Sequence, residues 1–150
     1  DTRYKVNPPL RTKADNEALI AALKDGTIDV ICSYHLPHEN DSKDVEFEYA
    51  AFGMESLEAS FGAANFMLNQ SIGIENIIQA IAIKPRKILN IPIPSIVENN
   101  KAEMTIFDEQ AEWIFEDGNI RSRSHNTAFI GKPMKGKALA VINNNQIKHV

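Results

Sequence analysis

The sequence has one cysteine, one tryptophan and no long hydrophobic run, and each shortage closes off a class of protein. With Cys32 alone, no intramolecular disulfide is possible, so a reducing, cytoplasmic setting is expected. Cys32 lies inside an apolar run and reads as a buried, inert thiol rather than a nucleophile. The longest greasy stretch, residues 77–83, is broken by Gln79. It falls far short of the roughly 20 residues that span a bilayer, and no signal peptide is visible. A strong positive charge is also missing. The net charge of −4 argues against a nucleic-acid partner. Basic residues do gather at Lys84, Arg86 and Lys87, and at Lys132, Lys135 and Lys137, but without interleaved aromatics. Both groups read as solvated faces.

What is present suits a soluble globular domain: 150 residues, 43% hydrophobic and 24% charged. The chain opens on Asp1 rather than methionine, a few residues before a dense motif, which reads as an interior cut or a cleavage product. Residues 3–6 read as a short extended segment stopped by Pro8 and Pro9. Thr12 and Asp15 resemble a capping box, Ala18, Leu19, Ala22 and Leu23 share one helical face, and Gly26 supplies the stop. Residues 28–32 form an apolar, β-branched run of the kind found in buried parallel strands. Strand, helix and strand with short joins predict a βαβ unit, and so a parallel sheet or barrel.

Residues 34–52 are a long acidic, polar stretch, expected to be a functional lid or disordered. A helix over about 54–68 follows, with Leu57, Phe61, Ala64 and Leu68 as a packing stripe. A second helix covers about 74–83, and a short turn begins at Pro85. The character changes after Ile91, where Ile-Pro-Ile-Pro-Ser is a linker. Beyond it, residues 102–107 and 112–115 read as strands, Asp117-Gly118 as a turn, and 138–142 with 146–150 as a hairpin about Asn143-Asn144-Asn145. The chain thus divides into an α/β part, residues 1–90, and a β part, residues 91–150.

The densest chemistry is Ser33-Tyr34-His35-Leu36-Pro37-His38, at the C-terminal end of the second expected strand. In (β/α)8 barrels active sites are built at that end. His35 and His38, three apart, suit metal ligands in type. Pro37 argues against a helix presenting both on one face, and a structural or capping role fits equally. His125 reads as a surface or structural residue.

Here the residues resemble a family. Lys5-Val6-Asn7-Pro8-Pro9-Leu10-Arg11, a helix, Asp25-Gly26-Thr27-Ile28-Asp29-Val30-Ile31, His35-Leu36-Pro37-His38 and Phe52-Gly53 are similar to the last two strands of a dihydroorotase barrel. Ala102-Glu103-Met104-Thr105-Ile106-Phe107-Asp108 and Asn126-Thr127-Ala128-Phe129-Ile130-Gly131 resemble strands of that family's small β-domain. The resemblance implies an α/β fold, the C-terminal portion of a (β/α)8 amidohydrolase barrel followed by strands of a small β-sandwich. It also implies a reaction in pyrimidine biosynthesis, the reversible hydrolysis of dihydroorotate to N-carbamoyl-L-aspartate by a zinc-bound hydroxide.

By the same resemblance, Asn7 and His38 match substrate-binding positions, and Phe52-Gly53 match the loop whose backbone contacts substrate. Ala51 stands where the family has proline. Tyr34 stands where the family has a metal-binding, proton-shuttling aspartate. An aspartate of pKa about 3.9 is ionised at neutral pH, whereas a phenol of pKa about 10 is neutral. Losing a general acid–base group costs about 10²–10⁴-fold in rate. The family's other metal ligands come from earlier strands, so no catalytic residue and no metal ligand is expected to be intact in this chain, and no zinc is expected on it alone.

The favoured expectation is a catalytically inactive dihydroorotase-like protein that supports aspartate transcarbamoylase. Two others stand beside it: an active zinc-dependent cyclic amidohydrolase as the parent, and a self-standing protein-binding module. The expected partners are the N-terminal remainder of the barrel or further copies of the chain. No nucleic acid or membrane is expected among them.

Overall fold

A computed structural model describes residues 1–150. Its α-helices end by Ile88 and its strands begin at Met104, with an irregular segment between. Helix α1, Lys13–Asp25, starts where the local chemistry demands. The Thr12 hydroxyl accepts the Asp15 N–H at 3.3 Å, and the Asp15 carboxylate accepts the Thr12 N–H at 3.0 Å. Gly26, at φ +85°, closes the helix in the left-handed region. Yet α1 buries no residue, and Leu19 on its apolar face is 50% exposed.

Two expected strands are absent. Residues 2–4 form one tight 3₁₀ turn, because the Asp1 carboxylate accepts the Arg3 N–H at 2.9 Å and grips its guanidinium at 2.6 Å. Residues 28–32 belong to no sheet. Their apolar character suits a buried strand, but a strand exists only by pairing, and this chain brings no neighbour alongside. Two backbone bonds hold the segment instead, Ile28 N–H to Ala22 O at 2.9 Å and Ile31 N–H to Ala80 O at 3.1 Å. Cys32 is consequently exposed rather than buried.

Helix α2 runs Ser60–Ile78, starting later than its apolar spacing predicts. Residues 54–57 spend their backbone groups on other segments. Met54 O accepts from Leu36, Glu55 donates to Asn126 O, and Ser56 and Leu57 donate to the His35 ring. Leu57 is therefore outside the helix and exposed. At Gly73 (φ +79°, ψ +155°) the helix kinks, and the chain continues through a wider π-type turn, Gln79–Ile83, into the short α3, Lys84–Ile88, with Pro85 in its first turn.

Three antiparallel strands follow in the order β1 (Met104–Ile114), β2 (Pro133–Asn143) and β3 (Gln146–His149). The two strands expected at 102–107 and 112–115 are one, β1, paired along both ends with β2. Register slips between Ile106 and Phe107 and again between Asp108 and Glu112, and the inward face of β1 changes phase at the first slip. On β2 the inward residues alternate strictly through Met134, Gly136, Ala138 and Ala140. The hairpin to β3 turns on Asn144 and Asn145, both at positive φ, as its Asn-rich sequence requires.

The core lies between α2 and this sheet. Ala59, Phe115, Ile120 and Met134 form it, with Ala63, Trp113 and Phe129 packed around. Phe115 is fully buried between Trp113 and Phe129, at ring-centroid distances of 5.9 and 6.3 Å. Truncating such a ring to alanine costs about 3–5 kcal/mol.

Candidate functional site

The expected site residues sit on three segments: residues 5–7, 34–38 and 52–53. Lys5 joins the first to the third, because its carbonyl accepts the Gly53 N–H at 2.9 Å. Gly53 has φ +120°, and a Cβ there would lie 2.7 Å from the Leu36 carbonyl. Only glycine allows this approach. His38 then closes on the third segment, its Nε2 lying 2.8 Å from Phe52 O. A carbonyl only accepts, so Nε2 carries a proton and donates it. The structure thus brings His38, Phe52 and Gly53 together. Asn7 stands exposed two residues beyond Lys5.

The 34–52 stretch is a loop with one 3₁₀ turn, Asn40–Ser42. Its interior anchors are two lysines that the sequence pattern does not single out. Lys5 donates to Phe47 O and Glu48 O at 2.8 and 2.9 Å and lies over the Phe47 and Phe52 rings. Lys43, 4% exposed, donates to Ala51 O at 2.8 Å and Lys5 O at 3.2 Å. Its pKa is lowered by burial first and by the neighbouring Lys5 charge second. Lysines in a polar run ordinarily signal solvent, and only the fold reveals that these two face backbone carbonyls.

The β part reaches the same place. Ser124 Oγ donates to the His38 carbonyl at 2.6 Å, and the Asn126 side-chain amide donates to it as well. His125 is turned away and pairs with Asp117 through Nδ1 at 2.6 Å on the exposed side.

Tyr34 is about half exposed and has φ +48°, an unusual backbone for a bulky residue. Next to it, His35 Nδ1 accepts the N–H groups of Ser56 and Leu57 at 3.2 and 3.1 Å. Nδ1 is therefore unprotonated, so its 3.7 Å approach to Glu55 is not an ion pair.

His35, Glu55 and Glu58 gather their donor atoms within 4.8 Å of one another, the kind of set that suits a divalent cation in type. The set does not fit one in detail. The His35 Nδ1 lone pair is taken by two backbone groups. Glu58 Oε1 already accepts from Arg121 N, Ser122 N and Ser122 Oγ at 2.9, 2.8 and 3.0 Å. Glu55 has its pKa raised to about 7, by burial first and by its hydrogen bond and repulsion with Glu58 next. Burial alone would raise Glu58 as well, but the hydrogen bonds from Glu55, Arg121 and Ser122 outweigh it and hold the group down at about 2. A zinc ion needs free, deprotonated donors.

A separate cavity of about 290 Å³ lies among Val6, Met54, Phe66, Met67, Phe129 and Met134. Ten of its twelve lining residues are hydrophobic, so it offers little to orient a polar ring compound.

Comparison with known proteins agrees with the resemblance in the sequence. No family model matches the chain. It is 40% identical over 151 residues to a dihydroorotase of Thermoanaerobacter sp. (strain X514), covering 99% of this chain and 35% of that protein. A dihydroorotase of Caldicellulosiruptor saccharolyticus is 39% identical over 149 residues, with 98% and 35% covered. Among solved structures, L-hydantoinase (dihydropyrimidinase) from Arthrobacter aurescens superposes with a TM-score of 0.85 at 24% identity, over 97% of this chain and 34% of that one. D-hydantoinase (dihydropyrimidinase) from Thermus sp. gives 0.80 at 19% identity, over 99% and 35%. The chain spans about a third of the length of the curated relatives it matches.

Proposed function

We propose, from a chain similar along nearly its whole length to the C-terminal part of dihydroorotases, that its parent is a dihydroorotase-like protein of pyrimidine biosynthesis that does not turn over dihydroorotate. Residues 1–90 would supply the last strands and helices of its barrel, and residues 91–150 strands of its β-sandwich. Within that frame Asn7, His38 and the Phe52-Gly53 backbone would face the cyclic amide.

Tyr34 carries the reading. It occupies the place of the acid–base carboxylate, and a neutral phenol there neither takes a proton nor holds a divalent metal at neutral pH. His35 Nδ1 is committed to two backbone N–H groups, and His38 Nε2 to Phe52 O. Zinc would supply an activated water in an active relative, and the clustered donors His35, Glu55 and Glu58 do not fit it as they are bonded here.

A non-catalytic relative still presents surfaces. The proposed role is support of aspartate transcarbamoylase in the cytoplasm. A second reading, an active zinc-dependent parent, is favoured by the intact joint of His38, Phe52 and Gly53. Tyr34→Asp in the full-length parent separates them. The expected outcome is no cyclisation of N-carbamoyl-L-aspartate by either protein. Activity in the variant, or in the wild type, would move the assignment to the second reading.

A further inference from the structure

Glu55 and Glu58 pose a problem that ordinary ionisation does not solve. The Glu55 side chain is completely buried, and its Oε2 has no hydrogen-bond partner. Its other oxygen lies 3.4 Å from the Glu58 N–H. No lysine or arginine side chain pairs with either carboxylate. Two charged carboxylates so close, one sealed from water, would repel while leaving a buried oxygen unsatisfied.

One proton removes the repulsion. A neutral Glu55 has an O–H to donate to Glu58, which leaves a single negative charge on the pair. That charge has its own partners, namely the N–H groups of Arg121 and Ser122 and the Ser122 hydroxyl. The other groups around Glu55 do not compete for the proton. His35, on the segment after residue 33, offers only a lone pair already shared by Ser56 and Leu57. The 120–127 segment faces the pair with backbone groups and the Ser122 hydroxyl, while the side chains of Arg121 and Arg123 are exposed. The Glu55 N–H itself donates to Asn126 O at 3.0 Å.

We propose that Glu55 and Glu58 share one proton, and that the resulting carboxyl–carboxylate pair is a latch holding the 121–127 segment of the β part against the start of α2, opened when the proton leaves. The bond that breaks is the Glu55 O–H, its proton passing to water. Two facing carboxylates then remain, and the Glu58 grip on Arg121 and Ser122 loosens as they separate. Residues 124–126 also hold the His38 carbonyl, so the latch reaches the substrate-side loop through a short stretch of chain. The inference is independent of whether the parent is catalytic.

The test uses the 150-residue chain. The Glu55 side-chain carbonyl carbon, followed by ¹³C NMR, should titrate between about pH 6 and about pH 8, apart from the other glutamates. Amide protection at Arg121 and Ser122, corrected for intrinsic exchange, should fall about tenfold over that window. Glu55→Gln keeps a neutral donor in place and should hold the protection constant. A Glu55 midpoint in the ordinary glutamate range, or one above pH 8, overturns the proposal. So does equal pH sensitivity of exchange in wild type and variant. Should Glu55→Gln fail to fold, the wild-type titration decides alone.

Discussion

Asn126 donates its side-chain amide to the backbone carbonyl of His38, although 88 residues separate them. Through this bond the β part fixes a loop that belongs to the α/β part. Both ends matter, because His38 in turn holds Phe52 O, and Gly53 holds Lys5.

Substitution at Asn126 should therefore separate two causes. Asn126→Ala removes the donor but also a buried, unpartnered Oδ1, and Ser124 still satisfies the carbonyl. A loss of about 1 kcal/mol is expected. Asn126→Asp places a charge against that carbonyl and should cost more than about 3 kcal/mol. Urea unfolding midpoints of the two variants give the comparison, and equal losses would count against the bond.

The carboxyl pair makes stability depend on pH from both sides. Glu58, held at about 2 against an ordinary 4.5, stabilises the fold fully above 4.5 and loses that contribution as pH falls toward 2. Glu55, raised to about 7, does the reverse. Its contribution is complete below 4.5 and is lost as pH rises through 7. Thermal melting followed by circular dichroism should show this contribution peaking near pH 4.5 to 5, with the alkaline fall abolished in Glu55→Gln.

Zinc should not copurify with the chain. Elemental analysis after exhaustive dialysis is expected to find far less than one equivalent, since His35, His38 and Glu58 are each engaged by protein donors or acceptors. One tightly held zinc per chain would mean that these bonds yield to the metal.

In solution the chain should associate with itself. Helix α1 buries nothing, and Leu10, Leu19, Leu89 and Ile96 are all at least half exposed. Sedimentation equilibrium at micromolar concentration should give masses above the 16.7 kDa of one chain. A single species of that mass with a cooperative melt would show that the core around Phe115 is sufficient.

Where structure depends on neighbours in sequence, it was legible. The Thr12–Asp15 box, the Gly26 stop and the Asn144–Asn145 turn each involve residues within a few positions of one another, and each formed as expected. Where it depends on distant partners, legibility failed. Residues 28–32 have strand composition but no strand to pair with, and for the same reason Cys32 is exposed. The chemistry divides likewise. His38, Phe52 and Gly53 are singled out by their motif, and the fold brings them together. Lys43, Glu55 and Glu58 were not, because a buried lysine or glutamate looks like a surface one until its partners from other segments are known.

Asn65 carries a consequence for how this chain tolerates change. Its side-chain amide spans β1 and β2, donating to Glu109 O at 2.9 Å and Lys135 O at 3.0 Å, beside Gly136, where a Cβ would sit 2.6 Å from that nitrogen. The helix is thereby indexed to the irregular stretch between Asp108 and Glu112, as a pin is to a notch. Deleting the two extra residues there would straighten β1 and carry the Glu109 carbonyl away from the pin. Loops at the strand ends are free to vary in length, but this interior irregularity is not, since its size sets where α2 lies.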